Sequence, residues 1–352
     1  MPRMDATGQG SPAPTRFLAL GGVWLDEIQK GGRTLHENVL GGSVTFATLG
    51  ARLFTPVDPS SIRMLMVKGR DFPAQVLDTL RDWQVSLSIL ARGDDVAAAR
   101  GILHYGQDES DRYYQRLTAP LNSSVDDVEQ LDLLHARSFH FFDIPATLRV
   151  STSRIREARR QQYRTSPGDQ APLIIWEPQA KSCSPETLEE HLLAVAGIDV
   201  FSPNHMELAS FFEAEHDGDF DRDRVEQQAK VFIESGIGAG TGCVVVRCAE
   251  HGAVIMSRLI VPTWLPAYHR PGSGKVVNST GAGNAFMGAF AIGYQDTGSY
   301  IEAAKYGAVG ASLVVEQVGT PILAGQGPHE LWNGASVRGR LEEYSVRCVT
   351  SE

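Results

Sequence analysis

Val276-Val277-Asn278-Ser279-Thr280-Gly281-Ala282-Gly283-Asn284-Ala285-Phe286 decides how the rest of the chain reads. A short apolar run turns through two glycines and enters an apolar, small-residue helix predicted from about Ala285 to Gln295. Strand, Gly-rich turn and helix start, in that order, suit anion binding. The first-turn N–H groups have no intrahelical acceptor, and the helix dipole favours negative charge beside them. Gly281 and Gly283 permit backbone angles and close approaches that other residues resist. The plainer reading of the same residues is a tight turn ahead of a core helix.

Outward from that turn, the chain alternates. Strands are predicted at Ser138–Phe142, Leu173–Glu177, Ile198–Ser202 and Cys243–Arg247, with Ala253–Ser257 paired to the last. Helices are predicted between them at 151–163, 185–196, 205–213 and 224–235. Such alternation argues for a mainly parallel sheet with helices on both faces. Nearer the start, Phe17–Leu25 reads as a strand broken by Gly21-Gly22, and Asp26 follows it. A carboxylate there suits ligand hydroxyls or a turn equally. Gly41-Gly42 opens a helix to about Leu53. Further short strands are predicted at 62–67, 85–91, 99–105 and 113–117. Asn204 and Glu207 follow the strand ending at Ser202, at the end of the sheet where ligands bind in α/β proteins. By spacing alone they are also a helix cap with a first-turn acid. Arg247, at another strand end, is suited to clamping phosphate or to pairing with Glu250. After the Gly turn, a second small-residue helix is predicted over 299–317.

The chain has 352 residues, a net charge of −10, 42% hydrophobic and 21% charged residues, an ordinary globular composition. The acidic balance gives no support for nucleic-acid binding. No apolar run approaches a membrane span. Residues 1–15 are rich in Gly, Pro, Ser and Thr and read as a disordered tail. Cys183, Cys243, Cys248 and Cys348 match no zinc spacing; they read as reduced, buried thiols of a cytoplasmic protein. The odd spacing of Cys243 and Cys248 puts them on opposite faces of their strand. Gly236–Gly242 imitates a dinucleotide fingerprint but stands in helix-to-strand order, the reverse of what that motif needs. Gly272-Ser273-Gly274-Lys275 lacks the first glycine and the final hydroxyl of a P-loop.

The Gly turn resembles the signature of pfkB-type, ribokinase-like carbohydrate kinases, normally Asp-Thr-x-Gly-Ala-Gly-Asp. The resemblance spans about residues 17–320. It implies an α/β ribokinase-like three-layer sandwich over residues 16–325, with a small β lid from about 24–40 and 85–118, and leaves 326–352 as a C-terminal extension. It implies ATP and Mg²⁺, and phosphotransfer to a hydroxyl of a sugar-like or nucleoside-like molecule. Gly281, Ala282 and Gly283 would hold the transferring phosphoryl group. Position 284 is where the family carries its general base, and Asn284 stands there; Asn278 replaces the other acid. Asp26, Gly41 and Gly42 would hold the acceptor, with Thr45 where an Asn is usual. Asn204 and Glu207 match an Asn-x-x-Glu motif that positions magnesium and phosphate through water. Gly252, Arg247 and Thr280 fall in nucleotide-binding stretches. A homodimer joined through the lid is a further expectation. Asn at the base position, with LGGVWLDEI, KGRDFP and SPNHMEL, looks most like a fungal branch of the family. The missing carboxylates imply weakened phosphotransfer. They also leave open a pseudokinase that binds nucleotide or metabolite without catalysis, or a biosynthetic enzyme of another reaction on the same fold.

Overall fold

Alternating apolar residues along the central strands feed two separate cores, one on each face of a single sheet. The computed structural model describes residues 14–106, 112–163, 171–212 and 219–349. The expectation for residues 1–15 therefore lies, through residue 13, outside the described residues.

In chain order the elements are β1 (Phe17–Leu20), β2 (Trp24–Lys30), β3 (Arg33–Gly41), α1 (Ser43–Leu53), β4 (Ile62–Val67), α2 (Ala74–Asp82), β5 (Ser86–Leu90), β6 (Arg100–Tyr105) and β7 (Arg112–Arg116). Next come α3 (Val125–Gln130), β8 (Ser138–Asp143), α4 (Pro145–Tyr163), β9 (Leu173–Pro178), α5 (Leu188–Val195), β10 (Val200–Phe201), α6 (His205–Ala209) and α7 (Arg222–Glu234). The chain continues with β11 (Cys243–Arg247), β12 (Ala253–Ser257), β13 (Thr263–Leu265), α8 (Ala282–Thr297), α9 (Tyr300–Val314) and, after a short hairpin, α10 (Val337–Val349).

Among the described residues the main sheet has nine strands in the order β13-β12-β11-β10-β9-β8-β1-β4-β5. Pairing is parallel from β5 to β11 and antiparallel at β12 and β13. Phe17, Ile175 and Val245 face a core shared with α1, α8, α9 and α10. Leu18, Trp176 and Val246 face the other, filled by α3, α4, α5 and α7. This is the three-layer sandwich, and the period of two along each strand produces it. Cys243 falls in one core and Cys248 in the other, and all four cysteines are free and buried.

A separate four-stranded sheet, β3-β2-β6-β7, stands beside the main one. It corrects the predicted lid at one end. β5 pairs in register with β4 at the edge of the main sheet, so the small sheet takes in β6 and β7 but not residues 86–90. Asp26 also moves: β1 stops at Leu20, and Asp26 lies inside β2, paired with β3 on one side and β6 on the other.

Residues beyond 325 are no appendage. Arg52, fully buried in α1, forms an ion pair with Glu330 (Nη1 to Oε2, 2.9 Å) and donates from Nε to the Trp83 carbonyl. Trp332 and Tyr344 are buried in the first core. A composition-based boundary missed this because the contacts join residues nearly 280 positions apart.

Candidate functional site

Two helix starts are brought together by close packing. A Cβ on Gly50 would lie 2.0 Å from the Ala285 carbonyl oxygen, and one on Gly288 would lie 1.9 Å from that of Ala47. Glycine at both positions lets α1 and α8 run nearly in backbone contact. Their N-termini, capped by Gly42 and Gly281, therefore open onto one crevice. The carboxyl ends of β8 to β11 supply its floor.

On the lid side, Asp26 is almost fully buried. It accepts a hydrogen bond from the Tyr114 hydroxyl at 2.7 Å. Burial pushes its carboxyl up to about 6 from 3.8, and Tyr114 only partly offsets that. Its Oδ2 lies 2.1 Å from where a Gly41 Cβ would be, so glycine there is needed for the carboxylate to approach. The cavity beside it is lined by Asp26, Val39, Phe46, Asn278, Thr280 and Gly319 among others, and holds only about 10 Å³. That is too tight for anything beyond a single water.

Thr45 is absent from that lining. It is fully buried, and its hydroxyl turns back to the Gly41 carbonyl at 2.7 Å. The neighbouring Phe46 faces the crevice instead, its ring against Gly281, where a Cβ would stand 2.1 Å from it. One step along a helix rotates a side chain by about 100°, so counting one residue short selects the wrong face.

On the sheet side, the glycines and the helix start are as predicted, but the strand expected before them does not form: Val276 and Val277 are exposed and belong to no strand. Gly281 caps α8 at φ 81°, and Asn278 Oδ1 accepts the Thr280 N–H at 2.7 Å. Asn278 thus has a turn-forming bond of its own. The Gly283 and Asn284 amides begin the helix with no intrahelical acceptor. Asn284 Nδ2 donates to Glu177 Oε1 at 3.0 Å. A carboxylate can only accept, which fixes the orientation of the amide.

Glu177, at the end of β9, is the residue the sequence reading passed over. It is fully buried between His140 (Nε2 to Oε1, 2.6 Å), Asn284 and Arg247 (Nη2 to Oε2, 3.0 Å). Burial alone would raise its carboxyl; Arg247, His140 and Asn284 outweigh that and hold it below the ordinary range. The signal was there in Trp176-Glu177-Pro178: an acid ending an apolar strand at the ligand-binding end of the sheet.

Arg247 does not pair with Glu250, which sits beside His251. It crosses instead to Ser202, donating from Nε to Oγ at 3.1 Å and from Nη2 to the carbonyl at 2.8 Å, as well as to Glu177. Its Nη2 is also 3.7 Å from Glu207. A Cβ on Gly283 would lie 1.8 Å from Nη1, so the guanidinium occupies the very mouth of the Gly turn.

Asn204 and Glu207 form a reciprocal capping box at α6, each side chain on the other's backbone N–H at 2.8 Å. Glu207 is buried, which raises its carboxyl against the pull of Arg247. Gly252 has a structural reason to be glycine: φ is 90°, and a Cβ would sit 1.9 Å from the Leu265 carbonyl. A larger cavity of about 130 Å³ lies away from these groups, between α6 and α7. The crevice has the better chemistry, because Asp26 on β2, Glu177 on β9, Arg247 on β11 and Glu207 on α6 converge there with the starts of α1 and α8.

A sandwich of this topology, with a small separate sheet beside it, has a sugar- or nucleoside-kinase-like fold. The pattern of pfkB family carbohydrate kinases matches residues 33–324. The chain belongs to the pfkB family. It is 31% identical over 344 residues to an uncharacterized protein of Schizosaccharomyces pombe, covering 93% of this chain and 92% of that one. It is 27% identical over 339 residues to the protein MAK32 of Saccharomyces cerevisiae, covering 91% and 89%. Among solved structures it is similar to ribokinase from Thermotoga maritima (TM-score 0.64, 15% identity, covering 94% of this chain and 99% of that one). Adenosine kinase from Schistosoma mansoni in complex with 2-fluoroadenosine gives 0.67, with 11% identity and coverage of 88% and 97%. A putative ribokinase II from E. coli, in complex with ATP and Mg²⁺, gives 0.64, with 17% identity and coverage of 95% and 99%. Among the described residues no helix is long and apolar enough to cross a membrane.

Proposed function

We propose that the protein binds the phosphates of ATP at the first turn of α8 and an alcohol of a sugar-like or nucleoside-like molecule beside Asp26, and that it transfers the terminal phosphoryl group slowly. One observation carries this reading: Phe46, Asn278 and Thr280 line the Asp26 cavity, and the Phe46 ring lies on Gly281, so acceptor pocket and Gly turn are contiguous.

In the transfer, the acceptor oxygen bonds to the terminal phosphorus as the bridging P–O bond breaks and ADP leaves. Gly281, Gly283 and Asn284 offer backbone donors to the developing charge, while the Ala282 N–H already donates to the Ser279 carbonyl. Asp26 accepts hydrogen bonds from the acceptor's hydroxyls and orients them. Asn284 presents its Oδ1 to the attacking hydroxyl but has no basic site for the proton, which passes to water. Loss of a general base typically costs about 10²- to 10⁴-fold. The cavity beside Asp26 must widen to admit an acceptor, and movement of the β2-β3-β6-β7 sheet, with its Tyr114, is the expected route.

The family's Asn-x-x-Glu motif implies magnesium near Glu207. The residues present do not fit it. One Glu207 oxygen accepts the Asn204 N–H, and the Arg247 guanidinium stands 3.7 Å away. Magnesium keeps an octahedral oxygen shell that includes several waters, and here a fixed positive charge stands beside the oxygen that would hold one of those waters. No step is routed through the metal.

A second reading is a pseudokinase that binds nucleotide without turnover. The amide of Asn284 locked onto Glu177 favours it, because that side chain is held by structure rather than free for chemistry. ADP release over a panel of alcohols, with wild type beside Asn284→Asp and Asn284→Ala, separates the two. Wild-type turnover that disappears in Asn284→Ala supports slow transfer. A silent wild type, with turnover appearing only when Asp is restored together with Glu177→Gln, supports the pseudokinase.

A further inference from the structure

The mouth of the Gly turn already contains a cation, and it belongs to the chain. The Arg247 guanidinium is held along two edges by Ser202 and Glu177. The Ser202 hydroxyl is itself oriented, donating to the Val245 carbonyl at 2.8 Å. Little freedom is left to a side chain gripped in this way, so little ordering remains for a ligand to impose. Nη1, the remaining nitrogen of the fork, has no recorded acceptor among the described residues. It points at Gly283, whose missing Cβ is what makes room for it. The side chain is 15% exposed, so the charge is largely desolvated yet still reaches the crevice.

The surroundings balance that charge. Glu177 on β9 is held ionised, with His140 on β8 and Asn284 on α8 as its other partners. Glu207 on α6 approaches the same Nη2 at 3.7 Å. A second cation placed between Glu207 and the cradle would meet Arg247 head on. A phosphate oxygen placed there would meet Nη1 and the free amides of Gly283 and Asn284 together.

Resting on the nucleotide reading given above, we propose that Arg247 takes the part of the divalent cation at this site, so that the cradle binds the polyphosphate of its ligand without metal. A planar guanidinium can engage two phosphate oxygens at once with charge-assisted hydrogen bonds. This departs from the magnesium requirement that the Asn-x-x-Glu motif implies. It also accounts for glycine at 283 and for the arginine at a strand end.

The test is calorimetric titration of the full chain with ATP and, separately, with inorganic tripolyphosphate, each in EDTA and in excess magnesium chloride. Wild type is expected to bind in EDTA within about threefold of its affinity in magnesium. Arg247→Gln is expected to lose about tenfold or more in EDTA and to regain part of it with magnesium, because the space beside Glu207 is then open. Wild-type binding that appears only with magnesium overturns the inference and leaves the nucleotide reading standing. Binding by a folded Arg247→Gln in EDTA at wild-type strength also overturns it. No binding of either probe by wild type under either condition overturns the nucleotide reading itself. The wild-type comparison does not depend on the variant folding; thermal unfolding reports whether the variant has done so, and Arg247→Lys serves where it has not.

Discussion

Asp26 and Glu177 are both buried carboxylates on the crevice, and they are managed in opposite ways. Asp26 has one neutral donor, Tyr114, and burial dominates, so its acid is weakened to about 6. Glu177 has an arginine, an imidazole and an amide, and the same burial is outweighed. The difference teaches where each is used. A carboxylate with unfilled hydrogen-bonding capacity in so small a pocket carries the cost of burial largely unrelieved, and under the proposed function ligand hydroxyls would relieve it. A carboxylate saturated by its own chain is a strut that holds Arg247 and Asn284 at the Gly turn.

The largest expected effect comes from removing the strut. Glu177→Ala leaves Arg247 without its partner in a desolvated position and should lower stability by about 3–5 kcal/mol. Urea unfolding measures it, and Glu177→Gln, which keeps an acceptor, should lose clearly less. If Ala and Gln behave alike and both are mild, the charge on Glu177 is not what holds the site.

Asp26 sharpens the contrast through pH. Its folded value of about 6 lies above the 3.8 of the unfolded chain, so the folded state binds the proton more tightly. Stability from this group is therefore fullest below about pH 4, falls as pH rises through the window from about 4 to 6, and stays lowered above it, by on the order of 3 kcal/mol. Asp26→Asn should flatten that slope and be more stable than wild type near pH 7. A variant as pH-sensitive as wild type in that window would show that another group carries the slope.

Restoring the missing base tests whether the two carboxylates can coexist. Asn284→Asp puts a second carboxyl at hydrogen-bond range of Glu177, where like charges disfavour double ionisation. The single variant should therefore gain little phosphotransfer, whereas Asn284→Asp with Glu177→Gln should gain about a hundredfold or more. Equal gains in a steady-state ADP assay would mean that Glu177 does not oppose the new base.

The smallest effect is at Gly283. Ala in a helix is ordinarily favoured over Gly by about 1 kcal/mol. Here its Cβ would lie 1.8 Å from Arg247 Nη1, so Gly283→Ala should instead lower stability by about 1–2 kcal/mol. A raised melting temperature would place the guanidinium elsewhere.

Much of the fold was legible because it is written in local periodicity. Strands with period two and helices between them gave the parallel sheet, and Cys243 and Cys248 were assigned to opposite faces correctly. The Gly turn was legible because its glycines and the helix start are consecutive, although the strand expected before them does not form. What escaped were partners distant in sequence. Arg247 was weighed against Glu250, three residues away, when its partners come from β9, the residue just past β10 and α6. Asp26 was read at a strand end and proved to lie inside β2 of the small sheet, bonded to Tyr114. Thr45 was read as facing the acceptor, although Phe46 takes that face. The segment after 325 offered no pattern, yet Glu330 neutralises a buried arginine in α1.

By itself, then, the sequence determined the layer architecture, the glycine frame of the turn that opens α8 and the absence of acids at 278 and 284, since each depends on residues near in the chain. Only tertiary structure decided which charges compensate one another. Burial makes an unpaired charge far more costly than any local preference, and the group that relieves it is chosen by proximity in space, which strand order and helix packing set and sequence separation does not.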